Sequence, residues 1–247
     1  MKVVAIIPAR FNSQRFPGKL MEKIGGKELI LFTYQNILKT NFFDEVIVAT
    51  DDKSIFDLIQ DNGGKAQLTA KNHESGSDRI AEVAKDINAD IIVNVQGDEP
   101  FIKKEDLESL INIFKNDRTK EVDLASLMEE IQMKEDIENP NNVKVVTDHT
   151  GNALYFSRSV IPFDREIQPN TKYYKHIGIY AFRREALLSF SGLKRGFLES
   201  TEKLEQLRYL ENGYKIRLAI SKNPTIGIDT PEDLEKAKEY LKTIKHD

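Results

Sequence analysis

Lys2-Val3-Val4-Ala5-Ile6-Ile7-Pro8-Ala9-Arg10-Phe11-Asn12-Ser13-Gln14-Arg15-Phe16-Pro17-Gly18-Lys19 is the stretch whose reading decides the fold. Residues 2–7 are mostly apolar and rich in β-branched side chains, and Pro8 ends the run, which is the pattern of a buried strand. The run is too short for the apolar region of a secretory signal and lacks a small-residue cleavage pattern. A loop of different character follows. Before Glu22 the chain carries Lys2, Arg10, Arg15 and Lys19 and no acid, although the whole chain sets 36 basic residues against 40 acidic ones. Cations spaced along a loop that ends in a Pro17-Gly18 turn can wrap a triphosphate, with backbone amides as further donors and lysine as a point charge. It is not a Walker A loop, because the glycine spacing is wrong and Leu20 stands where a magnesium-binding hydroxyl would be. A basic surface loop with a turn is the plainer alternative.

Beyond this stretch, short β-branched runs at 45–50, 65–68, 91–95 and 124–128 alternate with segments of helical period at 28–39, 54–62, 78–85 and 105–115. That alternation predicts an α/β fold with a doubly wound, mostly parallel sheet. From about residue 142 the rhythm changes to strands at 144–147, 153–156 and 176–182 with few helices between them, which predicts a second, smaller mixed sheet. A helix over 201–211, strands at 215–220 and 225–228, and a C-terminal helix complete the chain. Thr230, Pro231 and Asp233 supply that last helix with a cap, a first-turn proline and a capping-box acid.

Composition narrows the function. A length of 247 residues with 40% apolar content is enough for one large core or two modest ones. The net charge of −4 argues against a general affinity for nucleic acid or for anionic membrane surfaces. There is no cysteine, so thiolate metal sites, cysteine nucleophiles and disulfides are excluded, and a reducing cytoplasm is compatible. No apolar stretch approaches the roughly 20 residues that cross a bilayer, which predicts a soluble protein.

Ligands of open α/β sheets collect beyond the carboxyl ends of the strands, so the residues after each run carry the functional reading. Gln96-Gly97-Asp98-Glu99-Pro100 follows the strand at 91–95, and Asp98 there can hold a hard cation such as magnesium through carboxylate oxygen; Gly-Asp and Glu-Pro are also ordinary turn dipeptides. Asp229 ends the strand at 225–228, where it could join Asp98 on one metal or merely favour a helix N-terminus. His73-Glu74-Ser75-Gly76-Ser77-Asp78-Arg79 leads into a helix. Gly76 would let a base or ribose approach the backbone, Arg79 can pair with a carboxylate or a phosphate, and Ser77 can equally be a helix cap. His176, on a strand with Gly178 and Tyr180, fits a satisfied core histidine as well as a ligand contact.

Taken together, the cationic loop, Gln96-Gly97-Asp98-Glu99-Pro100 and Asp229-Thr230-Pro231-Glu232-Asp233-Leu234 resemble the 3-deoxy-manno-octulosonate (Kdo) cytidylyltransferase, or CMP-Kdo synthetase, family. Ser75 to Arg79, Asn142-Val143-Lys144-Val145-Val146, Tyr155-Phe156-Ser157-Arg158, Ile161-Pro162-Phe163-Asp164-Arg165, His176-Ile177-Gly178-Ile179-Tyr180 and Leu204-Glu205-Gln206-Leu207-Arg208 extend the resemblance nearly end to end. The loop alone marks only the wider nucleotidyltransferase superfamily.

The resemblance implies that CTP and Kdo are the substrates, that CMP-Kdo and pyrophosphate are the products, and that the reaction serves lipopolysaccharide biosynthesis. It implies a single nucleotidyltransferase domain over 1–247, with a nucleotide-binding core at 1–130 and 214–247 and a sugar-binding and dimerisation subdomain at 131–213. Arg10, Ser13, Arg15 and Lys19 match the CTP-phosphate loop, with Pro8, Ala9, Ser75 and Gly76 beside the nucleotide. Arg79, Gln96, His176, Tyr180, Glu205 and Gln206 fall on the sugar side. Asp98 and Asp229 match the Mg2+ ligands, and Arg10, Arg15, Lys19, Asp98 and Asp229 would carry catalysis. A homodimer in the cytoplasm is the expected state. Ser77 stands where relatives commonly have threonine and Phe163 where they have tryptophan, so a hydroxyl and an aromatic face are kept. Relatives that activate 8-amino-Kdo, enzymes for other acidic sugars, and a non-catalytic nucleotide-binding protein are the alternatives.

Overall fold

β1 (Val3–Ala9) is buried along its whole length because it has a neighbour on each side. In the computed structural model, which describes residues 1–243 except 12–15, 74, 167, 169, 191, 224 and 225, the first part of the chain continues through a 3-10 turn (Lys19–Met21), β2 (Lys23–Ile24), β3 (Lys27–Glu28), α1 (Leu29–Lys39), β4 (Glu45–Thr50), α2 (Lys53–Asp61), β5 (Ala66–Leu68), α3 (Gly76–Ala84) and β6 (Ile91–Asn94). β2 and β3 form a small antiparallel hairpin. The other four strands are parallel in the order β6-β1-β4-β5. The chain builds outward from β1 through β4 to β5, then crosses back to place β6 on the other side of β1. That reversal makes the carboxyl end of β1 a topological switch point, the place where such sheets open a crevice for ligands.

The next length of chain runs through α4 (Lys104–Asn116), β7 (Leu124–Ile131), α5 (Lys134–Glu138), β8 (Lys144–Thr147), β9 (Ala153–Ser157), β10 (Tyr173–Arg183), α6 (Arg184–Phe190), α7 (Phe197–Glu202), α8 (Gln206–Glu211) and β11 (Ile216–Ile220). Here the pairing is mixed: β11 runs parallel to β7, while β7–β10, β10–β8 and β8–β9 are antiparallel. α9 (Pro231–Thr243) closes the described chain. Contacts divide the molecule into two compact units, 1–104 with 224–247 and 105–223. The second unit includes β7, which pairs with β10 and β11.

Two expectations fail. The helix expected over 201–211 is two helices, because Lys203 adopts a left-handed conformation at φ 57°. Tertiary contacts hold this break: the Glu202 carboxylate accepts from Ser157 Oγ at 2.6 Å and from Arg158 N at 2.9 Å, and Leu204 is buried. A buried pair also ties α7 to α8, with Arg208 Nε and Nη2 each 2.6 Å from the Glu199 carboxylate and the guanidinium over the Phe190 ring. The strand expected at 225–228 is absent over the described residues 226–228. Its apolar side chains are pinned otherwise: Ile228 is fully buried and its amide donates to Asp98 O at 3.0 Å. The helices at 134–138 and 184–190 were not anticipated.

The C-terminal helix has the expected start. Asp233 N donates to Thr230 Oγ1 at 3.2 Å and Thr230 N donates to Asp233 Oδ2 at 3.1 Å, a reciprocal capping box. Thr230→Ala is expected to lower the free energy of unfolding by about 1 kcal/mol, read as a smaller urea midpoint with unchanged slope.

Candidate active site

In the first unit, the loop after β1 is closed at its base where Gly18 N donates to Phe11 O at 2.9 Å. Gly18 has φ +73°, the left-handed region in which a side chain is strained. The turn sends Lys19 inward, where it is buried. Its ammonium donates to Asp98 Oδ2, to Ile228 O at 2.9 Å and to Asp229 Oδ1 at 3.1 Å. Burial opposes the charge, but the attraction and hydrogen bonding of Asp98, and then of Asp229, outweigh it and raise the lysine pKa. Lys19 is therefore a fixed cation that draws two carboxylates from distant parts of the chain to one point.

Close backbone approach places Asp98 there. A Cβ on Gly97 would lie 3.0 Å from Ile30 Cδ1 and 3.4 Å from both Leu20 Cδ2 and Pro8 O, so glycine lets the segment after β6 pass this close to the end of β1 without displacing its neighbours. Thr33 Oγ1 holds the same turn by donating to Gly97 O at 2.9 Å. Gln96 is half-buried between β6 and Asp98.

Pro8 and Ala9 are the last, buried residues of β1. α3 meets them at its start, with Gly76 packed over Pro8. The cap of α3 is Ser75, not Ser77: Asp78 N donates to Ser75 Oγ at 3.1 Å and Asp78 Oδ2 accepts from Ser75 N at 3.2 Å. Arg79, one turn further, is wholly buried, with Nη2 3.0 Å from Asp51 Oδ2 and Nη1 donating to Thr69 Oγ1. Arg10 lines a cavity of about 290 Å³ with Phe11, Asp51, Asp52, Lys71 and Arg79. Ser13 and Arg15 lie outside the described residues.

The second unit gathers the remaining candidates. His176 and Tyr180 lie on β10 with ring centroids 5.3 Å apart, and Phe156 packs edge-on against His176 at 5.0 Å. Burial, and then the Glu205 carboxylate, raise the Tyr180 phenol, so it stays a hydrogen-bond donor. Glu205 immediately precedes α8 and Gln206, its first residue, is buried. Burial pushes the His176 imidazole down to about 3, and its Nε2 is 2.9 Å from Ser126 Oγ. The hydroxyl is also 3.0 Å from Ile177 O and 2.8 Å from Ile179 O, carbonyls brought together by the register shift in β10 between Ile177 and Tyr180. Ser126 is a site neighbour that the sequence reading passed over. Its signal was a lone hydroxyl in the apolar run 124–128. Asp51 was passed over too, although it directly follows a strand.

A parallel sheet whose switch point carries a lysine shared by two carboxylates suits a nucleotide-handling transferase, and the class is given by the cytidylyltransferase family model, which matches residues 4–216. A 3-deoxy-manno-octulosonate cytidylyltransferase of Flavobacterium johnsoniae is 56% identical over 244 residues, covering 99% of this chain and 100% of the relative. The corresponding protein of Christiangramia forsetii is 51% identical over 240 residues, 97% of each chain. The chain thus belongs to the 3-deoxy-manno-octulosonate cytidylyltransferase family. The solved structure of CMP:2-keto-3-deoxy-manno-octonic acid synthetase complexed with CTP matches with a TM-score of 0.93 at 41% identity, over 99% of this chain and 100% of that one. A 4-diphosphocytidyl-2C-methyl-D-erythritol synthase from Anaerococcus prevotii shares the fold alone, with a TM-score of 0.64 at 18% identity and 98% coverage of both chains.

The His176 pKa is testable. Because its folded value of about 3 lies below the ordinary 6.5, the unfolded chain binds the proton more readily between those values. The stability contributed by this group is full above the ordinary value and is lost as pH falls toward about 3. The ring-carbon NMR shift of His176 is expected to stay flat from pH 8 to pH 5, and a midpoint near 6.5 would contradict the burial argument.

Proposed function

We infer that this chain transfers the cytidylyl group of CTP to Kdo, releasing pyrophosphate and giving CMP-Kdo for lipopolysaccharide biosynthesis. The observation that carries this reading is the 56% identity over essentially the whole chain to a 3-deoxy-manno-octulosonate cytidylyltransferase. The chemistry of the site agrees with it. The anomeric hydroxyl oxygen of the sugar forms a bond to the α-phosphorus and gives up its proton to solvent, the bond from that phosphorus to the bridging oxygen breaks, and pyrophosphate leaves with the electron pair. Such a transfer needs alignment and charge neutralisation rather than a protein nucleophile.

In this reading, Arg10, Ser13, Arg15 and Lys19 take the triphosphate, with Pro8, Ala9, Ser75 and Gly76 against the nucleoside. Lys19 and Arg15 neutralise the departing pyrophosphate. Gln96, His176, Tyr180, Glu205 and Gln206 take the sugar: the neutral imidazole and the protonated phenol can hydrogen-bond hydroxyls without adding charge beside an acidic substrate. The expected homodimer and cytoplasmic location belong to the same reading. A light-scattering mass at working concentration checks the former.

The residues present also suit magnesium. Asp98 and Asp229 are hard oxygen donors that already converge on one cation, the Lys19 ammonium, and magnesium commonly takes one or two carboxylates with phosphate oxygens and water. We assign Asp98 and Asp229 to hold it; when bound, the ion supplies positive charge to the phosphate oxygens and acidifies the attacking hydroxyl. Since Lys19 now engages those oxygens, Lys19→Met is expected to tighten Mn2+ binding to the nucleotide-free protein by at least about tenfold, read by electron paramagnetic resonance.

The primary test is pyrophosphate release from CTP and magnesium with Kdo, and in parallel with 8-amino-Kdo. Release that requires Kdo is expected, with a fall of on the order of 100-fold or more in Asp98→Asn. Release with 8-amino-Kdo alone would change the sugar, and release with neither would overturn the reading.

A further inference from the structure

The ends of three adjacent parallel strands lie in one row. Ala9 of β1 is paired with Thr50 of β4, and Thr50 is paired with Leu68 of β5. The next residue on each strand is therefore Arg10, Asp51 and Thr69, side by side at the switch point. The Arg79 guanidinium reaches this row from α3 and engages Asp51 and Thr69 while fully buried. Among the described residues its Nε and Nη2 make no hydrogen bond, Nη2 being at ion-pair distance from Asp51 without an aligned one. A guanidinium buried with unused donors is costly, and a site that needed only packing would be at least as stable with an apolar side chain.

Those donors border the cavity of about 290 Å³, whose lining sets three cations, Arg10, Lys71 and Arg79, against Asp51 and Asp52. Its size suits part of a nucleotide, and the excess of positive charge suits an anionic one. The other residues assigned to the sugar, Gln96 apart, lie in the second unit, whereas Arg79 shares its cavity with Arg10 of the phosphate loop. We propose that Asp51 is a positioning residue of the nucleotide site: its carboxylate fixes the Arg79 guanidinium as a donor wall of this cavity, and CTP fills it. This rests on the reading of the chain as a CTP-dependent enzyme and moves Arg79 from the sugar to the nucleotide.

Four variants test it: Asp51→Asn, Arg79→Met, the two combined, and Asp51→Glu. Asp51→Asn leaves a buried unpaired cation and is expected to lower the urea midpoint, and the double variant, which removes that charge, is expected to recover it. The double variant should nonetheless show a KM for CTP raised at least about tenfold, equivalent to about 1.4 kcal/mol, with the KM for Kdo within about twofold of wild type. Asp51→Glu, which keeps the charge, should recover part of the CTP affinity. Recovery of the wild-type KM for CTP together with stability in the double variant would reduce the pair to a structural one and overturn the proposal. A rise confined to the KM for Kdo would overturn it as well. If wild type releases no pyrophosphate from CTP and Kdo, the enzymatic reading fails on its own; calorimetric CTP binding to the same variants then decides the role of Asp51.

Discussion

The Lys19 ammonium is the contact on which the assembly of the first unit's candidate site depends. Three segments meet at it: the loop after β1, the turn after β6 and the segment before α9. Two carboxylates brought together without a cation would repel each other. The ammonium between them offsets that repulsion and holds both side chains at one point. The backbone contacts around this point act in the same direction. Gly97 lets the turn approach β1, and Ile228 N fastens the pre-helical segment to Asp98 O.

The second unit solves a different problem, which is how to keep polar groups in an apolar setting without charging them. The register shift in β10 turns two carbonyls toward Ser126, and that hydroxyl in turn faces His176. The imidazole sits between Phe156 and Tyr180, where burial holds it neutral. Sheet irregularity, a hydroxyl and an aromatic enclosure together fix the ring, with no acidic partner among the described residues.

How much of this the residues disclosed follows from how locally each feature is determined. β1, β4 and β6 were legible because a central parallel strand is buried on both faces and reads as an unbroken apolar run. The capping box of α9 was legible because it lies within four consecutive residues. The break at Lys203 was not, since helical periodicity continues through it and only the contacts of Glu202 and Leu204 force the left-handed turn. Residues 226–228 looked like a strand because they alternate apolar and small side chains, yet among the described residues the Ile228 backbone bonds Asp98 O and the Lys19 ammonium rather than a ladder. Asp98 and Asp229 were legible as candidates from their positions beside strand-like runs, but their convergence required the fold. Asp51 was hidden by its neighbour: Asp52 caps α2 by accepting from Ser54 N at 2.8 Å and Ile55 N at 3.2 Å, and the pair reads as a helix start.

The chain's route through the two units has a consequence for how such a protein can change. The second unit is a single uninterrupted length of chain, 105–223, while the first is assembled from both ends of the sequence. Lys19, Asp98 and Asp229 thus belong to the flanking lengths, and His176, Tyr180, Glu205 and Gln206 to the inserted one. One recombination event replacing that inserted length would exchange most of the residues proposed for the acceptor at once and leave the lysine and both carboxylates untouched. Inheritance can therefore exchange the second unit as one module, whereas the first, drawn from both ends of the chain, cannot be replaced by a single exchange of one length.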